Sequence, residues 1–139
     1  MTVYFTDRDL GKRFPEILKA GGLTVRRHAD HFAHDTPDEI WLETIGEKGW
    51  VAITHDGRIR YKPNELAAVK EFDVRLIVVV GKVPFPVLAK HFVDTVPKIE
   101  DYLTATQPPF IAKVYRPSLD DLAKNPNAAG RVEGWYPKN

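Results

Sequence analysis

The chain contains no cysteine, so it has neither disulfides nor thiolate chemistry, in agreement with a cytoplasmic protein. It has no apolar run long enough to cross a bilayer. Met1-Thr2-Val3-Tyr4 enters a strand-like run at once, without the basic and apolar regions of a signal peptide. A soluble protein that engages no membrane is expected. Net charge is also scarce, because 20 Lys and Arg against 19 Asp and Glu leave +1 with histidine neutral. That balance hides local sorting: acids gather in a few short segments, with Lys12, Arg13, Arg58, Arg60 and Lys62 close to them in sequence. No internal repeat is evident. What is present suits one domain: 139 residues, 43% hydrophobic and 28% charged, are enough to bury a single core.

Strand-like runs occur at Val3 to Thr6, Leu23 to Val25, Trp50 to Thr54, Arg75 to Val80 and Ile111 to Val114. The middle runs are continuously apolar, as in strands covered on both faces. Helical spacing separates them. Leu10 to Ala20 ends at Gly21-Gly22, a stop signal; Pro37 to Lys48 ends at Gly49; Asn64 to Phe72 opens on a plausible N-cap. This order predicts a parallel sheet with right-handed crossovers and helices on both faces. From Pro84 to Thr106 a stripe of Leu88, Phe92, Val96, Ile99 and Leu103 continues past Pro97, where a kink or two short helices are expected. The main domain is placed at residues 1–116. Residues 117–139, rich in breakers such as Asn125-Pro126-Asn127, Gly130 and Pro137, read as a polar tail, partly ordered at best. Trp135 and Tyr136 could dock it.

Three segments carry the acids: Phe5-Thr6-Asp7-Arg8-Asp9, Asp35-Thr36-Pro37-Asp38-Glu39 and Thr54-His55-Asp56-Gly57. In an open parallel sheet ligands bind at the carboxyl ends of the strands, and all three segments fall at that edge. Each acid also has a plainer role. Thr36-Pro37-Asp38-Glu39 is a helix start with a capping box from Thr36 to Glu39, Asp38 could complement the helix dipole, Asp9 could cap the first helix, and Asp7 and Asp56 could be turn aspartates. Their convergence favours a site. Two unit charges about 4 Å apart at an effective dielectric of about 20 cost on the order of 4 kcal/mol, against a folding stability of about 5–15 kcal/mol. Gathered carboxylates therefore need a counter-charge, and oxygen ligands with water suit Mg²⁺ or Mn²⁺. Arg58, Arg60 and Lys62 would then hold a polyanion.

These motifs, with a first helix ending in Gly21-Gly22-Leu23 and the run Val51-Ala52-Ile53-Thr54-His55-Asp56, resemble in order those of PIN-like domains, particularly the compact group related to the Mut7-C nuclease domain and VapC-type toxins. The likeness is close over the first half of the chain and holds by element order beyond it. It implies a three-layer α/β/α sandwich with a mostly parallel sheet and a Mg²⁺- or Mn²⁺-dependent endoribonuclease. Asp7, Asp9, Asp38 and Asp56 would be catalytic, with Asp7, Asp38 and Asp56 on the metal. Arg58, Arg60, Lys62 and His55 would contact RNA. Many such proteins are toxins, so an antitoxin is an expected partner and a homodimer a further one. The further acid found downstream in fully developed PIN domains has no clear counterpart here.

Three rivals stand beside this reading. Asp7-x-Asp9 after a first strand also resembles haloacid-dehalogenase-type phosphatases, in which the first aspartate attacks phosphorus, although Leu10-Gly11 departs from their pattern. His28, His31 and His34, with Asp30 or Asp35, could form a zinc site. A PIN-like protein-binding module without turnover would keep the fold and lose the chemistry.

Overall fold

The computed structural model describes residues 1–137; Lys138 and Asn139, the end of the expected tail, lie outside the described residues. Successive strand residues point to opposite faces, and here both faces are apolar. In β1 (Val3–Thr6) Tyr4 enters one core and Phe5 the other; in β3 (Val51–Thr54) Val51 and Ile53 oppose Ala52; in β4 (Arg75–Val80) Ile77 and Val79 oppose Leu76 and Val78. With β2 (Thr24–Arg27), β5 (Phe110–Tyr115) and β6 (Arg131–Tyr136), they form one sheet of order β2-β1-β3-β4-β5-β6. The first five strands are parallel and β6 is antiparallel to β5.

Helices α1 (Arg13–Ala20) and α4 (Phe85–Ala105) cover one face, α2 (Asp38–Lys48) and α3 (Pro63–Glu71) the other. The result is the expected three-layer α/β/α sandwich. Phe14 and Phe92 anchor the first core and Trp41 the second, each fully buried and each contributing about 1.5–3 kcal/mol. Helix α1 stops as its glycines predict. Gly22 takes φ +93°, and the N–H groups of Gly22 and Leu23 return to the carbonyls of Lys19 and Leu18 at 3.0 and 3.1 Å, which closes the last turn in a Schellman motif.

Three expectations are corrected. Helix α4 runs unbroken through Pro97. Its proline ring faces solvent, while Phe92, Thr95, Ile99 and Leu103 on either side are buried in one core, so continuous packing outweighs one missing hydrogen bond. The crossovers are not all of one hand. Steps β3 to β4 and β4 to β5 go the same way across the sheet, yet α3 and α4 lie on opposite faces, so the second has the opposite hand. Had α4 joined α2 and α3, the face bearing Ile53, Ile77, Val79, Ala112 and Val114 would be bare beyond α1. Finally, the described part of the expected tail, residues 117–137, is ordered: after α5 (Leu119–Lys124) it forms β6. Gly130 N–H donates to the buried Thr95 Oγ1 at 2.9 Å, Lys98 Nζ donates to the Gly130 carbonyl at 2.9 Å, and Trp135 and Tyr136 pack on the second core.

Candidate active site

The carboxyl ends of β1 and β3 are adjacent, and the Asp7 N–H extends their ladder by donating to the Ile53 carbonyl at 2.9 Å. Asp7 is thereby fixed at the sheet edge. Its Oδ1 accepts from the Arg8 N–H at 2.7 Å and caps a 3₁₀ turn, Arg8–Leu10, whose Leu10 is buried. That turn carries Asp9 over the end of β3, where the His55 N–H donates to its Oδ2 at 3.1 Å.

Thr54, buried at the end of β3, sits between the two carboxylates. Its Oγ1 lies 2.8 Å from Asp7 Oδ2 and 3.2 Å from Asp9 Oδ2, and it accepts the Asp56 N–H at 3.2 Å. A hydroxyl has a single proton to donate, so two carboxylates compete for it. Among the described residues neither forms an ion pair. Burial, then the charge of Asp9 with a smaller push from Asp38, raises the Asp7 carboxyl to about 7 against the hydrogen bonds from Thr54 and Arg8. Burial also lifts Asp9, helped by Asp56 and opposed chiefly by the His55 N–H and Thr54.

Asp38 and Asp56 flank this pair differently. Asp38 opens α2 and its Oδ1 accepts from Trp41 Nε1 at 2.9 Å, while its charge acts on both Asp7 and Lys62. The expected capping box is absent: Pro37 lies just outside the helix and no side chain caps it. Asp56 is already compensated. Lys62 Nζ donates to its Oδ2 at 2.6 Å and the Arg58 N–H to its Oδ1 at 2.9 Å. Burial pushes this carboxyl up, but the hydrogen bonds and charges of Lys62 and Arg58 outweigh it and hold Asp56 below the usual range. The structure thus brings the four acids to one edge, with Asp7 and Asp9 as the tight pair. Among the described residues no three His, Asp or Glu side chains form a ready-made ion cage.

The basic candidates separate. Arg58 is 84% exposed at its side chain, Lys62 is engaged with Asp56, and Arg60 lies over the rings of Trp135 and Tyr61 at 5.2 and 5.6 Å. The His55 ring turns away to the Gly81 carbonyl at 3.0 Å and packs on Phe85. A carbonyl only accepts, so Nε2 is the donor there and His55 serves the acids through its backbone. The zinc reading fails by direction: His28 is buried against Phe5, Phe32 and Trp41, His31 packs on Trp50, and His34 is exposed. Sequence reasoning missed Thr54 as the link between the acids, although it stands in the quoted Thr54-His55-Asp56 segment. It also missed Trp135 beneath Arg60, for which chain separation left no local signal.

The donor set fits a hard divalent cation. Such cations take carboxylate oxygens, and Asp7 and Asp9 bring theirs together around one hydroxyl at the sheet edge. Sequence comparison finds a PIN-like domain over residues 2–81, a span that holds all four acids together with Arg58, Arg60 and Lys62. Neither the curated proteins nor the solved structures gave a match. Since the matched span exceeds half of the chain and the sandwich agrees with it, the chain belongs to the PIN-like domain family, a fold of nuclease type.

Proposed function

We propose that the protein is a Mg²⁺- or Mn²⁺-dependent endoribonuclease whose centre is the Asp7–Asp9 pair. The observation that carries this reading is that two carboxylates share one Thr54 hydroxyl, without an ion-pair partner among the described residues. A purely structural role would favour a single, fully satisfied acid at that position.

In this reading Asp7 and Asp9 hold the cation, with Asp38 closing the approach from α2. The bound cation would lower the pKa of an attacking water and stabilise the leaving oxygen. Asp9 orients that water and accepts its proton. A new P–O bond forms from the water oxygen, the bond to the ribose oxygen breaks, and the leaving oxygen is protonated from solvent. Asp56, neutralised by Lys62, acts through its backbone N–H to hold the Thr54 hydroxyl in place. Arg58 and Arg60 grip flanking phosphates, where guanidinium groups can make bidentate contacts.

The test is Mn²⁺-dependent cleavage of a single-stranded oligoribonucleotide by wild type and Asp7→Asn. The variant is expected to fold and to lose cleavage; full activity in it would contradict the reading. The resemblance to VapC-type proteins extends the proposal to a toxin silenced by an antitoxin. Growth arrest on expression, relieved by Asp7→Asn, is the expected result, and unimpaired growth with active enzyme would remove that extension.

A further inference from the structure

Beside the acids, on the β2 side, lies a cleft of about 190 Å³ bordered by Asp7, Arg8, Lys12, Arg27 and His28. Its contents are unusual for a surface depression. Three of these side chains are cations, and among the described residues none of the three forms an ion pair. Arg8 is held in place because its Nη1 donates to the His34 carbonyl. His28 is 3% exposed, and its Nδ1 is the one buried side-chain polar atom without a hydrogen-bond partner among the described residues. Leaving such an atom unpaired costs about 1–3 kcal/mol.

We propose that this cleft binds a phosphate group of the polynucleotide, next to the phosphate that is cleaved. Three positive charges, of which Arg8 is held by the His34 carbonyl, outnumber the carboxylate of Asp7 in the cleft wall and favour an anion, and guanidinium groups match phosphate oxygens in a forked geometry. His28 forms part of the cleft wall, so its ring reports on what the cleft holds. The volume lies below the roughly 300 Å³ at which pockets for whole drug-sized ligands begin, so the cleft receives one group and leaves the base outside. Asp7 borders both the cleft and the acid pair, which places the bound phosphate one step along the strand from the reacting centre. The proposal takes the polymer from the nuclease reading, whereas the anion site itself follows from the cleft.

The test separates the two. Inorganic phosphate is titrated into the metal-free protein and followed by the imidazole ¹⁵N resonances of histidine. A saturable shift at His28 is expected, weakened at least about fivefold in Arg27→Gln and in Lys12→Gln, and unchanged in Lys19→Gln at the far end of α1. Both test positions lie at element ends, and melting temperatures verify that the variants fold. No saturable shift, or equal affinity in all variants, would overturn the site. Oligoribonucleotides with and without a 5′-phosphate then identify the source: tighter binding of the phosphorylated form assigns a terminal phosphate, equal binding that still depends on Arg27 an internal diester, and binding independent of Arg27 overturns the proposal. Phosphate binding that persists in a protein with no Mn²⁺-dependent cleavage would retain this cleft and remove the nuclease reading alone.

Discussion

The two edges of the sheet treat carboxylates in opposite ways. At the edge where β1 begins, Glu100 of α4 accepts from two hydroxyls, Thr2 Oγ1 at 2.7 Å and Tyr4 OH in a shorter contact. At the edge where β1 ends, two aspartates share the single hydroxyl of Thr54. One acid with two donors is a strut, and the cost falls on Tyr4: burial, then the bond and charge of Glu100, pushes its phenol above the ordinary range. Two acids that divide one hydroxyl and have otherwise only the N–H groups of Arg8 and His55, with no ion-pair partner among the described residues, leave charge uncompensated, and burial with Asp9 raises Asp7 to about 7. The chain therefore knows how to satisfy a carboxylate and does so away from the candidate site. The absence of such compensation at Asp7 and Asp9 is what carries the proposal that they serve chemistry.

Substitutions can break this contrast. The largest effect is expected on turnover: Asp7→Asn and Asp9→Asn should each lower Mn²⁺-dependent RNA cleavage by at least about 100-fold, whereas Glu100→Gln should leave the rate of the folded enzyme unchanged. Single-turnover cleavage assays measure both. Stability should respond with opposite signs. Glu100→Gln weakens acceptors for two hydroxyls and should cost about 1–3 kcal/mol in denaturant unfolding. Asp7→Asn, measured at pH 8 in chelator, should stabilise, because it removes a repelling charge.

The pH dependence sharpens the same point. Asp7 has a folded pKa of about 7, above its unfolded value, so between roughly pH 4 and 7 the native state holds a proton that the unfolded chain has released. Its contribution to stability is full below the unfolded pKa and is lost as pH rises through about 7. In chelator, the melting temperature of wild type should therefore decline from pH 5 to pH 8 more steeply than that of Asp7→Asn. Equal slopes would remove Asp7 from the account. The smallest effect concerns Arg58, which is exposed: Arg58→Gln should alter stability by less than about 0.5 kcal/mol while weakening RNA binding and reducing its salt slope by about one contact.

Much of this was legible in the residues because local signals agreed with the fold. Continuous apolar, β-branched runs such as Leu76-Ile77-Val78-Val79 read as strands covered on both faces, and Gly21-Gly22 stops α1 through backbone geometry that depends on nothing distant. Asp7, Asp9 and Asp56 follow strand ends, so parallel pairing alone carries them to one edge. What could not be read was set by tertiary contact. Strand β6 carries little apolar pattern and is ordered by pairing with β5 and by Thr95 and Lys98 on α4. Pro97 looked like a break because the packing that keeps α4 a single helix comes from the sheet beneath it. Thr36-Pro37-Asp38-Glu39 spelled a capping box, yet helix α2 begins one residue later than that motif requires. The sharing of Thr54 by two acids depends on the register between β1 and β3, which sequence spacing does not state.

The most direct measurement is a thermal titration with Mn²⁺ at pH 7.5 on wild type and Asp7→Asn. A cation that binds only the folded protein raises its stability by mass action, by about 2.7 kcal/mol at a hundred times the dissociation constant. A saturable rise in the melting temperature of wild type that disappears in Asp7→Asn is expected if the carboxylates of Asp7 and Asp9 hold the cation. An identical rise in both proteins, or none in either, would contradict it.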